Sequence, residues 1–155
     1  KLQDQKIETA HFYVQVVDYI TEVTKALLHC TRPAYEHIDN NHKGFTEEQI
    51  VDLKLINDEV ENIFNAVNEM LTNKDFSRLD DVLVMRDALF EIIAERIKNQ
   101  IRRIKAGEAS TRASGVCYNI LNETKTMILQ SRNLLKSQAH FLANINWKIF
   151  SAILK

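Results

Sequence analysis

Glycine and proline are nearly absent from this chain, with three and one among 155 residues. Strand-rich folds spend both on tight turns, so the scarcity excludes a sandwich or barrel and leaves long helices joined by short loops. Cysteine is as sparse. Cys30 and Cys117 are too few and too far apart to form a disulfide framework and read as small buried residues in a reducing compartment. No run of about eighteen apolar residues occurs, so the chain does not span a membrane by itself. An excess of one charge is also missing. With 20 basic and 21 acidic residues the net charge is −1, and no global field draws the molecule to nucleic acid or an anionic surface.

Catalytic signatures are missing too. There is no G-x-S-x-G, no glycine loop to cradle a phosphate and no Cys–His pairing in register. The reading is therefore that the chain is not an enzyme. Nothing aromatic interleaves its basic residues, which sets nucleic acid aside as a partner.

What the sequence does contain is helical periodicity. From Val82 to Gly107, apolar residues recur at Val82, Met85, Leu89, Ile93, Ile97, Ile101 and Ile104, in steps of three or four that fall on one stripe of a helix. Arg102, Arg103 and Lys105 suit the negative end of that helix, and Gly107 is placed to cap it. Such a helix needs partners, and the chain predicts three. Helix one spans about Gln5 to His42, with Phe12, Val16, Ile20, Val23, Leu27 and Cys30 inward. Pro33 predicts a kink or short break at Thr31–Arg32, and His42-Lys43-Gly44 the stop. Thr46-Glu47-Glu48-Gln49 is a capping box, and Phe45 with Ile50 has the spacing of a hydrophobic staple. Helix two follows with Ile50, Leu53, Ile56, Val60, Ile63, Phe64, Val67 and Leu71 inward, and Asn73 as its left-handed end. Asp75 or Ser77 caps helix three, and Ser110 or Thr111 caps helix four. Helix four carries a heptad seam, Cys117, Leu121, Thr124, Ile128, Ser131, Leu135, Gln138, Leu142, Ile145 and Ile149, with several polar members that set register or line a cavity. Short connections make neighbours antiparallel. The prediction is an all-α, up-down antiparallel bundle of four long helices. It forms a single domain over residues 1–155, with helix one and the end of helix four overhanging.

Metal ligands are the sharper question in a bundle. Asp39–His42 is the nearest approach to a Glu-x-x-His pair, and His37 and His42 fall on different faces, so the Glu36–His42 segment reads as the dressing of a helix end. Carboxylates stack at i, i+4 as Asp18–Glu22 and as Asp87–Glu91–Glu95, a repulsion that a cation would relieve. Glu91 lies nearly opposite the Leu89–Ile93 stripe, which points that line at solvent or a partner rather than the core. The basic cluster of Arg96, Lys98, Arg102, Arg103, Lys105 and Arg112 suits a helix end. It would touch phosphate or lipid headgroups only if its members converge; Arg102, Arg103, Lys105 and Arg112 are the candidates. The last turns, with Trp147, Ile149, Phe150, Ile153 and Leu154, are apolar almost all round and call for a cover, a second copy of the chain being the commonest.

Three segments carry a family resemblance: PAYEHIDNNHKGFTEEQIVDLKLINDEV, ERIKNQIRRIKAGEASTRASGVCYNILNETK and LLKSQAHF. They resemble the soluble C-terminal tails of bacterial sodium/phosphate cotransporters, which are similar to PhoU, a helical-bundle regulator of phosphate uptake; the likeness covers roughly residues 11 to 143. It implies a non-catalytic cytoplasmic regulatory domain at the inner face of the cell membrane. Its partner would be the transmembrane part of the cotransporter or another protein, with no small-molecule substrate, and it would belong to a longer membrane protein, in keeping with a chain that opens on Lys1. PhoU-like bundles also carry a Glu/Asp-x3-Asp motif for surface metal clusters. Here the matching positions read Glu123-x3-Met127 and Val14-x3-Asp18, each short of one carboxylate. Asp87-x3-Glu91 and, in shifted register, Asp18-x3-Glu22 retain both. The resemblance therefore allows one cofactor, a divalent or ferric ion on Asp18, Glu22, Asp87 and Glu91. A homodimerising bundle unrelated to phosphate is the third reading.

Overall fold

A computed structural model describes the backbone of residues 2–153 and the side chains of residues 3, 4 and 6–145. The four expected helices are present: α1 (Leu2–Asp39), α2 (Glu47–Asn73), α3 (Leu79–Lys105) and α4 (Thr111–Ile153), with no strand among the described residues. They run up and down. The start of α2 meets the end of α3 through Gln49 and Gln100, and Gln15 and His29 of α1 meet Ser137 and Asn119 of α4.

The bundle is asymmetric. Every described contact of α1 with another helix is with α4, and it touches neither α2 nor α3. The core is made by the other three helices: Ile56, Ile63, Val67 and Met70 of α2, Val82, Leu89 and Ile93 of α3, and Leu121, Ile128 and Leu135 of α4. α4 thus serves two partners on two sides. Its heptad seam is inward as expected from Cys117 through Leu135. The polar members Thr124 and Ser131 donate their hydroxyls to Ile120 and Met127 carbonyls of their own helix, at 2.7 and 2.8 Å, so their polar atoms are satisfied within the helix and they pack as small side chains. At 1.5 Å per residue α4 is roughly 65 Å long and α2 and α3 roughly 40 Å, so the end of α4 and the start of α1 run on together as a two-helix arm of roughly 25 Å. Phe12 and Phe141 stack there with centroids 4.0 Å apart.

Four of the six residues expected on the inward stripe of α1 are placed there. Phe12, Val16, Val23 and Cys30 turn towards α4, but Ile20 and Leu27 are each 50% exposed, and Tyr19 and Ala26 take their places. The physical reason is that α1 has apolar residues on two faces, so following apolar residues does not single out one. On α2 and α3, Ile50 and Ile101 are likewise exposed, at 41% and 51%.

Of the kink or short break expected at Pro33, the break does not occur: α1 is helical through the proline. Proline has no N–H to give the carbonyl four residues back, which orphans His29 O. Asn119 of α4 donates its side-chain amide to that oxygen at 2.6 Å. The neighbouring helix thus supplies the donor that the chain lacks. At the ends, Gly107 is left-handed as expected (φ 69°) and Thr46 and Gln49 form the capping box. Ser110 caps α4 by accepting the Ala113 N–H at 3.0 Å. Three expectations shift. α1 ends at Asp39 with Asn41 left-handed rather than at Gly44; Lys74 rather than Asn73 is left-handed after α2; and Arg78 precedes α3 without a side-chain cap, while Asp75 accepts from Ser77 N–H in the turn before it. After α2 the N–H groups of Lys74 and Asp75 both reach Met70 O and fix the left-handed position one residue beyond Asn73, whose tolerance of that conformation only marks the neighbourhood.

Replacing Asn119 by Ala should cost about 1 kcal/mol in urea unfolding, the range for a carbonyl left without its donor. In a Pro33→Ala background, where residue 33 regains its N–H, that cost should vanish.

Candidate functional site

The densest polar arrangement lies where α2 begins, α3 ends and α4 begins. It grows out of the capping box. Gln49 Oε1 accepts the Thr46 N–H at 3.0 Å, which turns the amide nitrogen inward. That nitrogen donates to Gln100 Oε1 at 2.8 Å and Ser114 Oγ at 3.2 Å, so a wholly buried side chain ties three helices together. Gln100 gives its own amide to the Arg96 carbonyl at 3.3 Å. One turn along α2, Asp52 stands between two guanidiniums. Arg103 Nη1 donates to Oδ2 at 2.9 Å, and Arg96 Nε lies 3.0 Å from Oδ1, an ion pair without hydrogen-bond alignment. Arg96 also reaches the exposed Glu95 at 3.4 Å.

Cys117 is buried beside this cluster. Burial pushes its thiol up to about 12; Arg103 pulls down and Asp52 pushes up, both less strongly. Burial, and then Glu123, raise Cys30 as well. Both thiols are held protonated, the opposite of what a nucleophile or metal ligand needs. The cluster is inward-looking. Apart from Arg96 Nε, which has no aligned acceptor, its side chains are turned to one another, and it pins the ends of three helices in register.

A second polar group closes the α1–α2 turn. His37, 4% exposed, has Nε2 2.9 Å from Lys43 O and its ring stacked on Phe45, while Nδ1 has no partner. Arg112 of α4 lies against both ring nitrogens of His42, with Nη1 3.2 Å from Nδ1. Local desolvation, then the Arg112 guanidinium, then His37 hold the His42 pKa below the usual imidazole value. Pro33, Glu36, Asn40 and Val116 complete a shallow cleft of about 220 Å³. A larger cleft, about 360 Å³, opens in the two-helix arm between His11 and His140, over the stacked phenylalanines.

The residues expected to hold metal are not brought together. Asp18 and Glu22 are on α1, Asp87 and Glu91 on α3, and those helices do not meet. Glu22 pairs with Lys25 at 3.0 Å and Asp87 with Arg86 at 2.7 Å, while Asp18 and Glu91 are exposed. The line Asp87–Glu91–Glu95 faces solvent, as its helical phase predicted. Among the described residues no group of three or more His, Cys, Asp or Glu could hold an ion.

The anion candidates separate as well. Arg103 is 5% exposed and committed to Asp52, so it belongs to the interior, where the cost of taking both charges out of water is offset only while the pair stays intact. Arg102 and Lys105 are exposed on α3, and Arg112 stands on α4 against His42. Trp147, Phe150 and Ile153, expected at an interface, lie outside the described side chains, although α4 itself extends to Ile153.

Sequence reasoning missed Gln49, Asp52, Gln100 and Ser114. A signal existed. Asp52 and Gln49 lie four and seven residues before Ile56, and Arg96, Gln100 and Arg103 lie three, seven and ten after Ile93. The buried rows continue at helical spacing after their apolar members run out.

Comparison with family models, with curated proteins and with solved structures finds no match for this chain.

Asp52→Ala should destabilise the fold by about 3–5 kcal/mol in urea unfolding, the cost of leaving buried guanidiniums uncompensated. The triple change Asp52→Leu/Arg96→Met/Arg103→Met should cost far less. An NMR titration of the His42 imidazole should give a midpoint below the usual 6.5. Since Arg112 disfavours the imidazolium, Arg112→Ala should move it upward.

Proposed function

We propose that this chain is a non-catalytic interaction domain that works through protein contacts along its helices, as the PhoU-like regulatory part of a bacterial sodium/phosphate cotransporter at the inner face of the cell membrane. The observation that carries the interaction reading is the outward face of α1. Ile7, Tyr35 and Ile38 are more than 60% exposed, and Val14 and Leu28 more than half. An apolar face running the length of such a helix is a surface for something else. Meanwhile the buried Gln49–Gln100–Ser114 and Asp52–Arg103 contacts tie helices to one another, which suits a scaffold. No described helix is long and apolar enough to cross a membrane, so the membrane-embedded work of transport would fall to another segment or partner. The transport setting is supported by the likeness of residues 33–60, 95–125 and 134–141 to cotransporter tails. In this reading the domain biases the transporter by docking against its transmembrane part or a further protein.

Deleting the coding segment for these residues in the source cell, with the rest of its gene left in frame, should change sodium-driven uptake of radiolabelled phosphate about twofold or more, a coupling of under 1 kcal/mol. Unchanged uptake at equal membrane abundance would overturn the transport setting.

A further inference from the structure

We infer that the outward face of α1 pairs with the same face of a second copy of this chain, the two α1 helices running antiparallel. This names the partner of the surface on which the interaction reading rests. Residues of α1 seven apart lie almost above one another, since seven residues make nearly two turns. Ile7, Val14, Thr21, Leu28 and Tyr35 form one outward row. Ala10, Val17, Thr24, Thr31 and Ile38 form the next, and every member of both rows is exposed.

The three threonines are apolar in effect. Thr21, Thr24 and Thr31 donate their hydroxyls to the carbonyls of Val17, Ile20 and Leu27 at 2.7, 2.9 and 2.9 Å. Their hydrogen-bonding needs are met inside the helix, and γ-methyls are left to cover the face. Nine large apolar side chains of α1 are exposed by 43–69%. At roughly 100 Å² each they present on the order of 900 Å², above the largest patch of a typical monomer and about one partner's share of a standard interface.

The edges of the face decide its occupant and direction. One edge is apolar: Tyr13, Ile20, Leu27 and Ala34. The other is polar: Asp4, His11, Asp18, Lys25, Arg32 and Asp39. Parallel pairing would set each charged edge against an apolar one. Antiparallel pairing sets like edge against like, with the two-fold axis near Thr21 and Thr24. In that register Ile20 faces the second copy's Leu27 and Asp18 faces its Lys25, twice; further out Asp4 faces Asp39 and His11 faces Arg32, so the polar edge is complementary only around the axis and the apolar rows hold the pair. Small residues also meet large ones, Ala10 against Tyr35 of the other copy and Ala34 against its Tyr13. Asp18 and Lys25 are too far apart along one helix to pair with each other within a copy; Lys25, which reaches Glu22 of its own helix at 3.0 Å, would be shared between Glu22 and the second copy's Asp18.

Sedimentation equilibrium of the full chain, with circular dichroism to monitor helix content, tests this. A dimer at micromolar concentration is expected, with Ile20→Asp/Leu27→Asp monomeric at unchanged helicity. Asp18→Lys should raise the dissociation constant about tenfold, and adding Lys25→Asp should restore it. A monomeric chain would overturn the proposal, as would a dimer indifferent to these variants, which would place the second copy elsewhere. A chain that stays monomeric while anionic vesicles cover the face would overturn it in favour of lipid. None of these outcomes depends on phosphate uptake, so self-pairing and the transport setting fail separately.

Discussion

Everything in this molecule depends on α4 being buried from two sides at once. Its seam from Leu121 to Leu135 closes the core against α2 and α3, while α1 lies along another of its faces. A helix enclosed on two sides loses the simple polar face of a surface helix, and small residues such as Ala113, Ser114 and Cys117 are buried near its start. The length of α4 then sets the length of the whole particle, because α2 and α3 cover only part of it and α1 must cover the rest.

Three apolar stripes could slide along one another by a turn at little cost, since leucine and isoleucine pack in many registers. The polar cluster at one end removes that freedom. Gln49 must meet both Gln100 and Ser114, and Asp52 must meet Arg96 and Arg103; a shift of one turn strands buried polar groups without partners. The capping box that starts α2 belongs to the same device, because the oxygen Gln49 gives to Thr46 is what frees its nitrogen for the other helices. Local helix initiation and tertiary register are therefore one event.

The number, type and order of helices were legible in the residues, because the start of α2, the end of α3 and the seam of α4 each carried a signal with a direct physical cause. Less was legible on α1, whose apolar residues occupy two faces; periodicity reports how apolar residues recur but not which neighbour exists to receive them. The polar cluster was hidden for the opposite reason. Asp52, Gln100 and Arg103 occupy buried rows with side chains that usually mark a surface, and only knowledge of their partners on other helices makes them interior residues. The carboxylate pairs were read correctly in phase and incorrectly in company, since nothing in one chain's periodicity says that α1 and α3 stay apart. Pro33 follows the same pattern. Its missing N–H was visible, and the donor that replaces it, Asn119, lies 86 positions along the chain.

The exclusive attachment of α1 to α4 also has a consequence for synthesis. In chain order α1 is made before α2 and α3, and the helix that receives it is made last. At about 5–20 residues per second, the roughly 70 residues between Asp39 and Thr111 take roughly 4–14 seconds. During that interval α1 has two apolar faces and no partner in its own chain. On a ribosome cluster translating one message, neighbouring copies carry the same helix at high local concentration, and the nascent α1 is a segment open to premature association.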